Sequence, residues 1–444
     1  MSQDLHVIVG LGVSAVSCAR YLTEQNIPFA VADTRPNPPL LAQFKQTYPN
    51  VPTMTGSLDD SFLNKATRLV VSPGVSIKEP AIARQHERGI DIIGDIELFA
   101  KVANAPIIAI TGTNAKSTVT TLVGKMAQKA GLKAYMGGNL GTPALDLLNH
   151  NAQAYILELS SFQLETTRSL APKVATVLNV TPDHMDRYDT IEDYRRAKQS
   201  IYAHCEIAVC NRDDSATDPG PDFKGKKLYF TLKTPGTDEF GLLDKNGEIY
   251  LAFQDKALMP VRELPVLGRH YQANALAALA LGYGFGLKIA PMIETLIEFT
   301  GLAHRCQLIK EHKGINWYND SKGTNVGATL AAIEGLGPVI PGKLVLIAGG
   351  VGKNADFSLL VPPIAKYVRE LVLIGEAAPI LAKLLQDRVP IHFADSMADA
   401  VKLANQSALP GDSVLLSPAC ASYDMFNNFE HRGTVFTEVV QGMK

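Results

Sequence analysis

The fold of this chain is decided by residues 107–118, which read Ile107-Ile108-Ala109-Ile110-Thr111-Gly112-Thr113-Asn114-Ala115-Lys116-Ser117-Thr118. The first five predict a strand, the small residues after them predict a tight turn, and a helix is predicted from Thr118 to about Ala130. Backbone N–H groups of such a turn and the positive end of the next helix bind polyphosphate. In this kind of loop Lys116 reaches the outer phosphates and the Ser117 hydroxyl is a Mg²⁺ ligand.

The loop departs from the general pattern G-x-x-x-x-G-K-[ST] at both glycines. Ile110 stands at the first glycine position and Ala115 at the second. The Ala115 methyl group would crowd a bound phosphate, and a positive φ there would strain the backbone by about 1–2 kcal/mol. We therefore expect an effect on the affinity for the bound polyphosphate. By itself the pattern is also compatible with an ordinary strand-turn-helix whose lysine is exposed.

Length and composition limit the class of protein. At 444 residues the chain is long enough for about three domains. Its 42 basic and 44 acidic residues leave a net charge of -2, so no broad basic surface for nucleic acid or membranes is indicated. No stretch approaches the ~20 apolar residues of a transmembrane helix, and no secretory signal precedes the first strand. We expect a soluble cytoplasmic protein with reduced cysteines.

The segment before residue 95 predicts successive strand–helix units. After the strand His6–Val9, the turn Gly10-Leu11-Gly12-Val13-Ser14-Ala15 opens a helix, and the next strand ends in Asp33. The pattern G-x-G-x-x-A with a later acid is typical of dinucleotide-binding units, in which the acid binds ribose hydroxyls. A third strand leads into Ser72-Pro73-Gly74, at the sheet edge where open α/β sheets bind ligands. A nucleotide-like group is expected here, but hydride transfer does not follow.

A second α/β unit is predicted to begin between Asp95 and Ala105. Glu158 ends a strand beside the phosphate loop, where a carboxylate can ligand Mg²⁺ because the metal must bridge protein oxygen and phosphate. His184 lies in a polar loop after another strand, which favours a functional role over a structural one. Residues 213–260 are rich in Gly, Asp, Pro and Lys, which predicts irregular strands and surface loops. We assign no function to this segment.

Beyond Gly301 the alternation of strands and helices restarts. Polar residues follow the strands, among them Asp320 and Ser417. Because the carboxyl ends of parallel strands meet at one edge of a sheet, we expect these residues to face the nucleotide site. The sequence thus predicts an α/β protein of three domains, whose third sheet is parallel and contains strands at 315–319, 343–348, 371–374 and 413–416.

A series of motifs follows one another along the whole chain: residues 111–118, 158–164, 179–188, the helix with Lys198, Gly268-Arg269-His270 with Asn274, Ala303-His304-Arg305, residues 319–324 and 416–419. In this order they resemble the Mur ligases of peptidoglycan synthesis. The resemblance implies a Rossmann-like UDP-sugar-binding domain at 1–94 and a P-loop ATPase-like, ATP-binding central domain at 95–301. It also implies a Rossmann-like C-terminal domain at 302–444 that closes over ATP and binds the amino acid.

Within that family, the motifs are most similar to those of members that add D-glutamate to UDP-N-acetylmuramoyl-L-alanine. The resemblance implies that ATP phosphorylates the acceptor carboxylate and that the amine then displaces phosphate through a tetrahedral intermediate. Phosphoryl transfer between anions needs cations more than covalent help from the protein. Two Mg²⁺ sites are therefore expected. The resemblance also implies that the protein is a monomer and that its partners are the small molecules ATP, UDP-N-acetylmuramoyl-L-alanine and D-glutamate.

The resemblance also implies roles for individual residues. Catalysis is assigned to Lys116, His184 and Lys198. Metal binding is assigned to Ser117, Glu158, His184 and Lys198. ATP is contacted by Gly112, Thr113, Asn114, Ala115, Lys116, Ser117, Thr118, Asn274, Arg305 and Asp320. The UDP-sugar is bound by Val13, Ser14, Asp33, Thr34, Arg35, Ser72, Gly74 and Asn139. The D-glutamate pocket is formed by Lys322, Thr324, Ser417 and Phe426.

For Lys198, composition and the family resemblance predict different roles. By composition it is a solvated lysine on a polar helix, Tyr194-Arg195-Arg196-Ala197-Lys198-Gln199. The resemblance implies instead that its amine carries CO₂ as a carbamate that holds the second metal. An ammonium cannot ligand Mg²⁺, whereas a carbamate is a hard oxygen donor.

Three alternatives remain open at this point. An NAD-dependent oxidoreductase would rest on Gly10, Gly12, Ala15 and Asp33 and would leave the Lys116 loop unexplained. A regulator that binds both nucleotides without turnover is permitted by Ala115. Within the ligases, the added group could instead be L-alanine, a diamino acid or a folate glutamyl tail.

Overall fold

The computed structural model describes residues 4–353 and 355–443. Three β-sheets follow one another along the chain, with helices between their strands. The predicted α/β class with three successive sheets is confirmed. In the part of the chain that the structure describes, no helix has the length and apolar character needed to cross a bilayer.

The first sheet has five parallel strands, β1 (His6–Val9), β2 (Phe29–Asp33), β3 (Thr53–Thr55), β4 (Arg68–Val71) and β5 (Asp91–Ile93). The helices of this segment are α1 (Val13–Glu24), α2 (Leu41–Thr47), α3 (Asp60–Leu63), α4 (Pro80–Glu87) and α5 (Asp95–Ala100). The strand order is β3-β2-β1-β4-β5. The order reverses between β1 and β4, and a ligand crevice forms at such a switch point.

The second sheet has nine strands, β6 (Ile107–Thr111), β7 (Ala134–Gly138), β8 (Ala154–Glu158), β9 (Val174–Val177), β10 (Ile207–Asn211), β11 (Lys226–Phe230), β12 (Glu239–Lys245), β13 (Glu248–Phe253) and β14 (Lys256–Pro260). Their order, β14-β13-β12-β11-β10-β9-β6-β8-β7, places the phosphate-loop strand β6 between β9 and β8. The helices are α6 (Lys116–Lys129), α7 (Ser161–Glu165), α8 (Ile191–Gln199), α9 (Arg269–Phe285) and α10 (Ile289–Glu298).

Residues 213–260 are more regular than the sequence analysis predicted. They form β11 to β14, and β12 to β14 are joined by tight antiparallel hairpins. Asn246 and Gly247 connect β12 to β13 with φ of 58° and 85°. Positive φ at both residues is the geometry that an Asn-Gly hairpin turn adopts, so this signal was present in the sequence and was missed.

The third sheet has six strands, β15 (Gln307–His312), β16 (Ile315–Asn319), β17 (Leu344–Gly349), β18 (Val368–Ile374), β19 (Ile391–Phe393) and β20 (Ser413–Leu416). The helices are α11 (Val326–Leu336), α12 (Val361–Tyr367), α13 (Ala378–Leu385), α14 (Met397–Ser407) and α15 (Phe429–Gln441). The strand order is β15-β16-β20-β17-β18-β19. The four strands predicted for this sheet, β16, β17, β18 and β20, are parallel to one another, as expected. The strand β15 was not predicted, and it pairs antiparallel with β16 through a turn at Lys313-Gly314.

The first and second sheets share an apolar core, whereas the third sheet has its own. One cluster of buried side chains joins the first sheet, at residues such as Ile8 and Val31, to the second, at residues such as Ala109 and Tyr155. The third sheet has separate clusters on its two faces. Among the described residues, no apolar cluster includes both the third sheet and the other two. The unit built around the third sheet (the third unit) therefore has an apolar core separate from that of the rest of the protein.

Candidate active site

Two cavities lie at the carboxyl ends of the strands. The first, of about 560 Å³, lies between the second and third sheets and is lined by the phosphate loop and by loops of the third unit. The second, of about 590 Å³, lies against the first sheet. Asn139, which follows β7, lines both cavities. A ligand that fills the second cavity can therefore extend toward the first.

The phosphate loop is held in shape by its neighbour in the sheet. The Asn179 side chain accepts from the Asn114 N–H at 2.8 Å and donates to the Asn114 carbonyl at 3.2 Å. Helix α6 begins at Lys116, two residues before the predicted start. Ala115 has φ of 67° and ψ of -7°, so the condition for backbone strain is met at this alanine. Its side chain lines the first cavity.

Lys116 bonds to its own loop. Its Nζ donates to the carbonyl oxygens of Gly112 at 2.8 Å and Thr113 at 2.9 Å. Burial lowers the pKa of this amine. Ser117, the next residue, accepts a hydrogen bond at 2.6 Å from the Arg305 guanidinium, which comes from the third unit. An anion in this loop would therefore meet two cations, one from each side of the cavity.

Glu158 ends β8 and is 2% exposed. Its Oε1 accepts from the Asn139 amide at 2.7 Å, whereas its buried Oε2 has no hydrogen-bond partner in the described residues. A buried carboxylate oxygen without a partner is costly unless a cation or donor completes it. This oxygen therefore fits a hard cation such as Mg²⁺. No group of three His, Cys, Asp or Glu side chains in the described ranges could hold a metal, so other oxygens would have to complete the shell.

Lys198 is not a solvated lysine. It lies on α8, is 1% exposed, and donates from Nζ to the Gly112 carbonyl at 2.9 Å. Nζ also lies 4.4 Å from the centre of the Tyr194 ring. Burial and, secondarily, the charge of Lys116 lower the pKa of the Lys198 amine well below its usual value. This shift favours the neutral amine relative to an exposed lysine, and the neutral amine is the form that reacts with CO₂.

His184 faces the same cavity from the loop after β9. Its ring centre lies 4.9 Å from that of Phe162 and 6.4 Å from that of Tyr194. Burial lowers the pKa of the imidazole, opposed by the carboxylate of Asp183. Neutral imidazole is the form that ligands a metal. Phe162 and Tyr194, which position this ring, were not predicted from the sequence as site residues.

The third unit supplies the opposite wall, which includes Arg305, Asp320, Lys322 and Thr324. Asp320 accepts from the Cys306 N–H at 3.2 Å and from the Ser417 hydroxyl at 2.7 Å, and burial raises its pKa to about 7. The Lys322 ammonium lies 3.8 Å from the centre of the Phe429 ring, and burial lowers its pKa to about 8.

Two residues predicted for the amino-acid pocket do not line the cavity. Ser417 is 0% exposed and bonds to Asp320 and the Thr329 hydroxyl, and Phe426 packs near His431. Ser422 and Phe429, a few residues further along, line the cavity instead. The same loop was identified, but its turn decides which serine and which phenylalanine face inward.

The other predicted residues fall into the expected cavities. Asn274 and residues 113–118 line the first, whereas Gly112 contributes its carbonyl to the two lysines. Asp33 is 2% exposed and accepts from the Leu11 N–H and from Arg35. The second cavity is lined by all eight residues predicted for the UDP-sugar, namely Val13, Ser14, Asp33, Thr34, Arg35, Ser72, Gly74 and Asn139.

Family models match the chain in three consecutive segments. Residues 4–94 match the Mur ligase MurD-like N-terminal domain, residues 110–282 the Mur ligase middle domain, and residues 304–420 the Mur ligase glutamate ligase domain. The chain belongs to the Mur ligase family. The dinucleotide-type loops of the first sheet are therefore part of a ligase fold, and the oxidoreductase alternative is wrong.

Within the family, the chain is similar to proteins named UDP-N-acetylmuramoylalanine–D-glutamate ligase. That of Pseudomonas savastanoi pv. phaseolicola is 54% identical over 444 residues, covering 99% of this chain and 98% of the relative. That of Coxiella burnetii (strain Dugway) is 51% identical over 442 residues, covering 100% of both. The fold is similar to that of the UDP-N-acetylmuramate-alanine ligase of Thermotoga maritima, with a TM-score of 0.62, 19% identity, and coverage of 99% of this chain and 100% of that one.

Proposed function

We infer that the protein is an ATP-dependent ligase that forms an amide between the carboxylate of UDP-N-acetylmuramoyl-L-alanine and the amine of D-glutamate. The observation that carries this inference is the junction of the two cavities at Asn139, which lets one acceptor reach from the dinucleotide-type loops to the phosphate loop. The names of the full-length relatives support the same substrates. We propose domains at 1–94, 95–301 and 302–444, and a monomeric protein that acts in the cytoplasm.

The reaction requires activation of the acceptor. An amine does not displace oxide from a carboxylate, so a carboxylate oxygen first attacks the γ-phosphorus of ATP, and ADP leaves. The free amine of D-glutamate then attacks the acyl phosphate carbon, and the tetrahedral intermediate expels inorganic phosphate. Lys116 and Arg305, on opposite sides of the first cavity, stabilise negative charge on the phosphates.

The residues present fit two metal positions. Ser117 and Glu158 would hold one Mg²⁺, and His184 with a carbamate on Lys198 would hold the other. Bound Mg²⁺ neutralises charge on the phosphates and the acceptor carboxylate. The unpartnered Oε2 of Glu158 supports the first position, and the buried amine of Lys198 supports the second. Addition of CO₂ to that amine forms an N–C bond and releases one proton.

The amino-acid pocket is proposed at Lys322, Thr324, Ser422 and Phe429. Lys322 and the two hydroxyl side chains suit a dicarboxylate, and Phe429 holds the lysine in place by a cation–π contact. Ser422 and Phe429 replace the earlier assignment of Ser417 and Phe426. In this pocket the amine must lie free of its proton beside the acyl phosphate, so the pocket has to select one stereoisomer.

The function is tested by ADP release with a panel of acceptors and amino acids. We expect turnover with UDP-N-acetylmuramoyl-L-alanine and D-glutamate, and little with L-glutamate, L-alanine or meso-diaminopimelate. Release of ADP that depends on another amino acid would place the chain elsewhere in the family. Binding of both nucleotides without ADP release would favour a regulator.

Replacement of Ala115 by glycine is expected to lower the KM for ATP several-fold without changing the amino acid used. Glycine adopts a φ of 67° without strain, and loss of the methyl group gives the phosphates more room. Ala419→Gly is the matched control, because this buried alanine also has a positive φ, of 61°, but does not line the cavity. It should change stability and leave the KM unchanged. Weaker ATP binding in Ala115→Gly would show that the loop is adapted to alanine.

A further inference from the structure

Besides the hydrogen bond from Arg305 to Ser117, the third unit contacts the phosphate loop at the amino end of α11. Asn325 caps this helix, since its Oδ1 accepts from the Ala328 N–H at 2.8 Å. Its Nδ2 donates to Asp183 Oδ2 at 3.0 Å and to Asn114 Oδ1 at 3.3 Å. One side chain thus joins a helix of the third unit both to the phosphate loop and to the loop that carries His184.

Gly327, in the first turn of α11, makes this approach possible. A Cβ at this position would lie 2.8 Å from Thr181 Oγ1 and 3.5 Å from Asn114 Nδ2. The backbone of Gly327 is helical, so the glycine is required by space and not by its conformation. Glycine is otherwise less favourable than alanine inside a helix. The absent side chain therefore serves the contact with the central domain.

We propose that Asn325 is a positioning residue of the ligase. Asn325 and Gly327 form the closing contact with Asn114, Thr181 and Asp183. This proposal rests on the proposed function, because Lys322 and Thr324 directly precede Asn325. The apolar clusters of the third unit are separate from those of the other two sheets in the described residues, so no shared core holds this unit in place. The closing contact therefore sets the distance between the amino-acid pocket and the phosphates.

The first test compares Asn325→Ser with the unchanged protein. Serine also caps helices well, so the folding temperature should be kept, but it has no amide N–H groups to give to Asp183 and Asn114. In small-angle X-ray scattering with Mg²⁺ and a non-hydrolysable ATP analogue, the variant should have the larger radius of gyration. The KM for D-glutamate should rise about tenfold, as for loss of a hydrogen bond to a charged group. The KM for the UDP-sugar should not change.

Gly327→Ala tests the same contact sterically, because its methyl group would lie too close to Thr181. This variant should keep or raise the folding temperature. It should increase the radius of gyration measured with Mg²⁺ and the ATP analogue, and it should raise the KM for D-glutamate. Thr181 Oγ1 has no hydrogen-bond partner among the described residues, so Thr181→Ala removes the obstacle without breaking a bond. The double variant should regain the compact state, whereas Thr181→Ala alone should scatter like the unchanged protein.

Unchanged scattering and an unchanged KM for D-glutamate in both Asn325→Ser and Gly327→Ala would overturn the proposal. A failure of the double variant to regain compactness would also overturn it. The scattering comparison does not depend on turnover. If the unchanged protein forms no product with D-glutamate, the proposed function fails, while the closing contact is still tested by the scattering.

Discussion

Lys116→Ala is expected to reduce ADP release on the order of 10³-fold, because it removes the buried cation that we propose stabilises the transferred phosphate. Binding of the UDP-sugar should be nearly unchanged, since the second cavity contains no part of the phosphate loop. The measurement is a coupled assay of ADP release, together with calorimetric titration of the UDP-sugar.

Lys125→Ala provides the matched control for this prediction. Lys125 lies on the same helix, α6, but is exposed and lies over the Phe299 ring, away from the cavity lining. Its removal should leave ADP release within about twofold of the unchanged rate, as is usual for exposed positions. Substantial turnover by Lys116→Ala would contradict the assignment of this lysine. Loss of UDP-sugar binding as well would indicate misfolding, and the Lys116→Arg variant would then be needed to separate charge from folding.

Lys198→Ala is expected to lower activity by more than about 100-fold, since residues one step removed from a metal already contribute about 10–100-fold. If the lysine acts as a carbamate, added acetate should restore part of the activity of this variant, because its oxygens can occupy the space that the side chain leaves. Steady-state rates with and without acetate provide the measurement.

Lys198→Met is the matched variant, because methionine fills a similar volume but cannot bind CO₂ or offer an oxygen. It should be inactive and insensitive to acetate, since no space is left for the added carboxylate. Full activity in either variant would show that the buried lysine has a purely structural role, through its bond to the Gly112 carbonyl. A methionine variant that responded to acetate as the alanine variant does would also contradict the carbamate.

The residues that could be predicted from sequence are those whose role depends on local geometry. Lys116 and Ser117 follow a strand and begin a helix, so their position is evident within a few residues. Lys198 could not be identified by composition, because its burial depends on the packing of α8 against Gly112, 86 residues earlier. Only the resemblance indicated it.

The loop after β20 shows the same limit. Ser417 and Ser422 are the same residue type, and Ala419 between them has a positive φ within a bend of the chain. On one side of this bend Ser417 bonds to Asp320, and on the other side Ser422 lines the cavity. Alanine gives no signal for such a conformation, so the pattern could not decide between the two serines. The hairpin at Asn246-Gly247, by contrast, was readable and was overlooked.

The unequal division of the apolar core has a consequence for protein engineering. Because the first two sheets share one cluster of buried side chains, neither can be exchanged for its counterpart from a relative without repacking that cluster. The apolar clusters of the third unit contain no residues of the other two sheets, and this unit contains the proposed amino-acid pocket. Chimeras that recombine at the border of the third unit should therefore fold, and they offer a route to new amino-acid specificity on an unchanged nucleotide scaffold.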